Sequence, residues 1–290
     1  MSKYADFWGE AIGTFILVLF GCGSVAVTVL FSAHVGLFQV AVIWGLGVTL
    51  AIYATRHLSC AHLNPAVSIA MVVGRRMSLK RLPVYVSAQF IGAFIAAGVL
   101  YLLFSSSLVA YESAHGIIRG APGSAATAMM FGEFYPNPGS GPSAAVSSLN
   151  AFFAEATGTF MLVLLIFALT DGCNLGGPGD ALSPVFIGLS VTVIISIISP
   201  LTQAGLNPAR DLSPRLFAYV AGWGAAALPD RHFGFLTIYV LGPICGATIS
   251  ALIFDRYLKP LMRNKMKFPS CTCGENIEEV SRHEDVDIKP

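Results

Sequence analysis

Ser59-Cys60-Ala61-His62-Leu63-Asn64-Pro65-Ala66-Val67 returns in outline as Thr202-Gln203-Ala204-Gly205-Leu206-Asn207-Pro208-Ala209-Arg210, and this repeated stretch decides the fold. In each copy an irregular polar run gives way to Asn-Pro-Ala and then to a short apolar segment. Asn is a favoured N-cap, and Pro fits the first helical turn because its missing N–H would have no intrahelical partner there. Each copy therefore opens a helix with free backbone donors and a positive dipole end. Two such starts in one membrane chain suggest half-helices aimed at a shared midplane site.

The copies belong to a longer repeat. Gly9-Glu10-Ala11-Ile12-Gly13-Thr14-Phe15-Ile16-Leu17-Val18-Leu19 is echoed by Ala154-Glu155-Ala156-Thr157-Gly158-Thr159-Phe160-Met161-Leu162-Val163-Leu164. The chain is 55% hydrophobic and 11% charged, with a mean hydropathy of +0.71. Soluble domains carry about 25% charged residues, so this is an integral membrane protein, and a net charge of +1 gives no footing for nucleic acid.

A spanning helix needs about 20 apolar residues. Full spans are expected near Phe7–Leu30, Leu37–Tyr53, Pro83–Phe104, Ala151–Leu169, Ser183–Ile198 and Leu236–Phe254. The segments Asn64–Val73 and Asn207–Val220 are too short and read as half-spans. A secretory leader at the N-terminus is disfavoured by Asp6 and by Glu10, whose mate Glu155 lies deep in the chain. The expected class is all-α, six transmembrane helices plus two re-entrant half-helices in an inverted repeat. The channel domain is placed at 1–257, with repeats at about 7–108 and 151–254, followed by a polar tail at 258–290.

Cations set orientation. Arg56, Arg75, Arg76, Lys80 and Arg81 flank the first half-span, and Arg256, Lys259, Arg263, Lys265 and Lys267 follow the last full span. These regions and both termini are expected in the cytoplasm, in a multi-pass protein of the cell membrane. The Tyr111–Ser148 connection has Arg119 as its one cation and reads as external. Three spans per repeat is odd, so the second repeat enters from the opposite face and the two half-helix N-termini meet near the midplane.

Asn64 and Asn207 are read as side-chain donors to a pore, against the plainer reading of caps alone. Arg210 is a charge inside a membrane segment, which is costly and marks a pathway. The first copy has Val67 there. The plainer reading pairs Arg210 with Asp211. Glu10 and Glu155 are read as acceptors for the N–H groups of the irregular loops, which must be satisfied at membrane depth. The rival reading makes them proton carriers of a coupled transporter. Trp44 is read as a pore aromatic, and Gly9/Gly13, Gly92/Ala96 and Gly242/Gly246 as close-approach pairs between helices. Six cysteines form no disulfide framework, and Cys271-Thr272-Cys273 lacks the second pair of a zinc site. No metal, cofactor or nucleophile–base constellation is expected, and hence no enzyme.

From Phe7 to about Tyr257 the chain resembles the major intrinsic proteins, the aquaporin and glycerol facilitator family. The two Asn-Pro-Ala copies carry that resemblance. Asp211, the long connection with Tyr135-Pro136-Asn137-Pro138, and Phe217-Ala218-Tyr219-Val220-Ala221-Gly222-Trp223-Gly224 are similar to the glycerol-conducting branch. The resemblance implies a homotetramer with one pore per subunit and an outer filter formed by Trp44, Ile195, Ala204 and Arg210. Glycerol facilitators typically have Gly at the Ile195 position and an aromatic at the Ala204 position. The set found here resembles the nodulin-26-like channels, which also pass some metalloid acids. Cys60 stands where facilitators commonly have Gly, which makes mercurial block an expectation.

The expected function is a passive channel for glycerol, other small polyols or urea, and some water, excluding ions and protons. Donors are Asn64, Asn207 and Arg210. Acceptors are the carbonyls of Cys60, Ala61, His62 and Leu63 and of Gln203, Ala204, Gly205 and Leu206, facing apolar Trp44 and Ile195. A water-selective channel is the alternative, and a proton-coupled transporter using Glu10 and Glu155 a more distant one.

Overall fold

The computed structural model describes residues 3–34, 36–140, 145–229 and 233–267. The helices run in the order α1 Lys3–Phe31, α2 Leu37–Thr55, α3 Pro65–Val73, α4 Leu82–Ala114, α5 Ser148–Thr170, α6 Gly179–Thr202, α7 Pro208–Ala218 and α8 Gly234–Lys265. Six are long and apolar enough to cross a membrane. α3 and α7 have 9 and 11 residues. At about 1.5 Å per residue they cover roughly half of a ~30 Å hydrocarbon core.

Each repeat packs its first span against its other two, α1 on α2 and α4, and α5 on α6 and α8. The two repeats meet where α2 crosses α6. A Cβ on Gly45 would collide with the Gly188 carbonyl and the Thr192 hydroxyl, and one on Gly188 with the Gly45 carbonyl and the Thr49 hydroxyl. Thr49 Oγ1 donates to Pro184 O and Thr192 Oγ1 to Ala41 O, both at 3.2 Å. The crossing is thus built from matched residues on a local twofold. The half-helices are exchanged between repeats: α3 packs against α8, and α7 against α4.

Close approach explains the remaining glycines only in part. Gly92 faces the Ala11 carbonyl and Gly246 the Ala156 carbonyl, with no room for a side chain at either. Gly9 and Gly13 instead seat the first Asn-Pro-Ala loop: Ser59 lies over Gly9, and Leu63 and Thr55 lie over Gly13.

Several boundaries differ from the sequence reading. α4 runs ten residues beyond Phe104. Ser105 does not stop it, because its hydroxyl donates to Leu102 O at 3.1 Å within the helix. The last span continues as helix through Lys267, past the expected domain end at 257, with wider π turns at Thr237–Leu241 and Phe254–Leu258. Cys271, Cys273 and the acidic end of the chain lie outside the described residues.

Charged ends gather on one face. Arg81 grips Asp6 at 2.7 and 2.9 Å, Arg76 meets Asp171 at 2.7 Å, and Lys259 meets the same Asp171 at 3.3 Å. The start of α1 and the end of α8 therefore share a face, as six spans require.

Candidate functional site

The two Asn-Pro-Ala loops are irregular backbone held by buried carboxylates. Glu10 accepts from the Ser59 hydroxyl (2.7 Å), the N–H groups of His62 (2.9 Å) and Leu63 (2.7 Å), and the Gln89 amide (2.7 Å). Glu155 accepts from the Thr202 hydroxyl (2.6 Å) and the N–H groups of Gly205 (2.9 Å) and Leu206 (2.7 Å). These bonds stabilise left-handed backbone at Ala61 and Leu63 in one loop, and at Gln203, Ala204 and Leu206 in the other. Side chains other than glycine adopt that region at a cost. Leu63 fits against Gly13, and its mate Leu206 against Gly158.

The loops deliver Asn64 and Asn207 to each other. Asn64 Oδ1 caps α3 by accepting from Ala66 N–H at 2.8 Å. Asn207 Oδ1 caps α7 by accepting from the N–H groups of Ala209 (3.0 Å) and Arg210 (3.2 Å). Asn64 Nδ2 donates across the repeat boundary to Leu206 O at 2.9 Å, and Asn207 Nδ2 to Leu63 O at 2.8 Å. An amide carries two N–H donors, so each cross-bond leaves one over, on a side chain whose orientation is fixed at both ends. Capping and donating are therefore compatible roles. The Leu63 and Leu206 carbonyls, expected as pore acceptors, each already take one of these bonds and keep a second lone pair.

One cavity of ≈ 490 Å³ runs past both Asn residues. Trp44, Ile195, Ala204 and Arg210 line it, with Cys60, Ala61, His62, Leu63, Gly205 and Leu206. Leu17, Val48, Val67, Leu162 and Val191 supply apolar wall, and Arg56, His57, Arg76 and Asp180 line the charged end. Pro65, Ala66, Pro208 and Ala209 are buried behind the Asn residues. Gln203 is not among the lining residues; its side-chain oxygen accepts from Phe134 N–H at 2.8 Å.

Arg210 is fully enclosed. Its guanidinium lies over Trp44, 4.0 Å from the ring centroid, and Trp44 is seated against Gly21, where a Cβ would collide with the indole. Its ion-pair partner is Glu133, not Asp211. Asp211 is taken by Arg215 at 2.6 Å, one helical turn on, and accepts the Glu133 N–H at 2.7 Å. Arg215 also donates to Glu133 O and Ala227 O. The connection between the repeats thus dips inward at Glu133 to supply the acid. Sequence reading missed Glu133, although a signal was present: an acid set in the apolar run Met129-Met130-Phe131-Gly132-Glu133-Phe134-Tyr135. It also missed Gln89, which bonds both Glu10 and Ser68.

At the charged end, Asp171 follows α5. Burial works to raise its pKa, but the Cys173 N–H, Arg76 and Lys259 more than offset that and hold the carboxyl down at about 2.

The family described as major intrinsic protein matches this sequence over residues 1–254. The chain belongs to that family. Among related major intrinsic proteins, the glycerol uptake facilitator protein of Pseudomonas aeruginosa is 41% identical over 251 residues, 86% of this chain and 87% of the relative. That of Haemophilus influenzae is 40% identical over 94% of this chain and 98% of its own. A propanediol uptake facilitator of Citrobacter freundii is 39% identical over 95% and 98%. The X-ray structure of the aquaglyceroporin from Plasmodium falciparum superposes with a TM-score of 0.76, at 29% identity, over 90% of this chain and 99% of that one. As a major intrinsic protein the chain is a membrane-embedded channel protein, and the half-helix pair around the cavity is its channel architecture.

Proposed function

We propose that this chain is a passive channel for glycerol and similarly small uncharged polyols, with some passage of water. The cross-bonded Asn pair inside the cavity carries the reading. Asn64, Asn207 and Arg210 donate to solute oxygens, while carbonyls along Cys60–Leu63 and Ala204–Leu206 accept from solute hydroxyls. Trp44, Ile195 and the aliphatic wall take the C–H side. A polyol presents those two sides and an ion does not, since the wall replaces no hydration shell. The half-helix N-termini and Arg210 oppose cations and protons. The names borne by the relatives favour glycerol over a water-selective channel. Glu10 and Glu155 are each engaged by two N–H groups and a hydroxyl at their loops, which favours support over proton carriage.

The proposal extends to a homotetramer in the cell membrane with both termini cytoplasmic, and to urea or metalloid acids as minor solutes. Stopped-flow measurements on proteoliposomes under glycerol, urea and water gradients test the solute assignment. Glycerol flux should follow its gradient and ignore a pH gradient. Accumulation above equilibrium would overturn the channel reading, and water flux without glycerol flux would replace it with the water-selective one.

A further inference from the structure

The last span is longer than a bilayer needs. Gly234–Lys265 has 32 residues, about 48 Å of helix against a ~30 Å core. The excess lies at the end that carries Arg256, Lys259, Arg263 and Lys265, where Asp255 is the one acid between Phe254 and Lys267. This end does not stand free of the body. Leu258 and Met262 pack against the core, and Lys259 is tied to Asp171. The other sides face outward: Tyr257 and Leu261, one turn apart, are each 65% exposed, and Arg256 and Arg263 are exposed as well. Arg256 and Arg263 have no ion-pair partner among the described residues. About two turns separate them, so they lie on roughly one side of the helix.

We propose that this helix end is a docking site for an anionic phospholipid, its headgroup phosphate held by Arg256 and Arg263, with Tyr257 beside it at the interface. Charge complementarity and position argue for it. A helix pinned at the edge of the hydrocarbon layer places cations at headgroup depth and an amphipathic Tyr at the interface. Anionic leaflets attract such juxtamembrane cations. A competing occupant exists in the chain itself, since residues 268–290 carry Glu278, Glu279, Glu284, Asp285 and Asp287. That segment is the rival that the deletion arm of the test separates from lipid. The site stands apart from the conducting cavity, and the inference does not depend on which solute is carried.

The test uses the full chain with Tyr257→Trp, reconstituted in phosphatidylcholine vesicles containing brominated phosphatidylglycerol or brominated phosphatidylcholine. The parent chain, with its own three Trp, supplies the background quenching. The fluorescence of the introduced indole should show at least a threefold preference for the anionic quencher. That preference should fall towards one in the Arg256→Gln/Arg263→Gln variant and in about 0.5 M salt, where charges are screened beyond a few Å. Glycerol flux should stay at the parental level. If the double variant fails to fold, Arg263→Gln alone should remove about half of the preference. Equal quenching by both lipids, or a preference that survives the substitutions, overturns the proposal. A preference seen only after deletion of residues 268–290 assigns the site to the tail and overturns it equally.

Discussion

The two ends of the cavity are built on one frame and lined with different chemistry. Trp44 and Ile187, Ile52 and Ile195, Ala61 and Ala204, Val67 and Arg210 stand at matched repeat positions, and all eight line the same cavity. At one end the set includes an indole and a guanidinium. At the other it is wholly aliphatic. The backbone supports are alike at both ends, including the carboxylate under each loop and the glycine under each Leu. The difference lies in what can reach the fourth position. Arg210 is tolerated in a buried place because the connection between the repeats brings Glu133 to it, and that connection occurs once in the chain. Val67 is just as buried, at 3% exposure, and the acid nearest to it in the bond network, Glu10, is already committed to the first loop and Gln89. A duplicated frame can therefore stay symmetric while the side chains it carries diverge.

The strongest way to break this comparison is Val67→Arg. A buried charge without a partner costs about 3–5 kcal/mol, so the variant should yield little folded protein on detergent size exclusion. Normal folding would show that the inner end supplies a partner after all.

Next come Glu10→Gln and Glu155→Gln. Each weakens charge-assisted bonds of about 1.5–3 kcal/mol apiece. Glu10 has the additional Gln89 donor, so its variant should lose more thermal stability than the Glu155 variant. Equal loss of transport with unchanged melting would return the two acids to a carrier role.

A smaller effect separates Ile195 from its mate. Ile195→His puts a polar ring near Arg210 and should cut glycerol flux at least tenfold, a barrier of about 1.4 kcal/mol, with water flux falling less. Ile52→His, at the matched position of the first repeat, should reduce flux by clearly less in the same stopped-flow assay. If neither changes glycerol flux, the outer four residues do not form the constriction.

The smallest effect is at the charged face. The Asp171 carboxyl is depressed from 3.8 to about 2, so its stabilisation is present above pH 4 and is lost as pH falls through about 2. Asp171→Asn should cost about 1 kcal/mol at pH 7 after solvent screening is allowed for. The difference from the parent should shrink between pH 4 and pH 2 in thermal melts.

Much of this was legible in sequence because repetition made single residues speak twice. Asn64 with Asn207, and Glu10 with Glu155, each appear in two equivalent contexts, and a polar residue repeated in apolar surroundings has few roles open to it. Glu133 has no mate, sits in a stretch without periodicity, and reaches Arg210 from far along the chain, so no local pattern pointed to the pair. Adjacency offers Asp211 as the plainer partner for Arg210. Neighbouring helical residues, however, point about 100° apart, and the Arg one turn on from Asp211 is Arg215. The exchange of half-helices between repeats was likewise hidden, because composition gives the length of a segment but not the span that receives it.

That exchange has a consequence for biosynthesis. α3 is made early, but its packing face is supplied by α8, which is made last, and its Asn64 donor waits for the Leu206 carbonyl. While the chain is still emerging, the first loop has Glu10 to hold it, but its half-helix has only the smaller part of its seat, on α4. The early half of the molecule therefore becomes committed only on arrival of the final span, and loss of that span unseats the motif farthest from it in the chain.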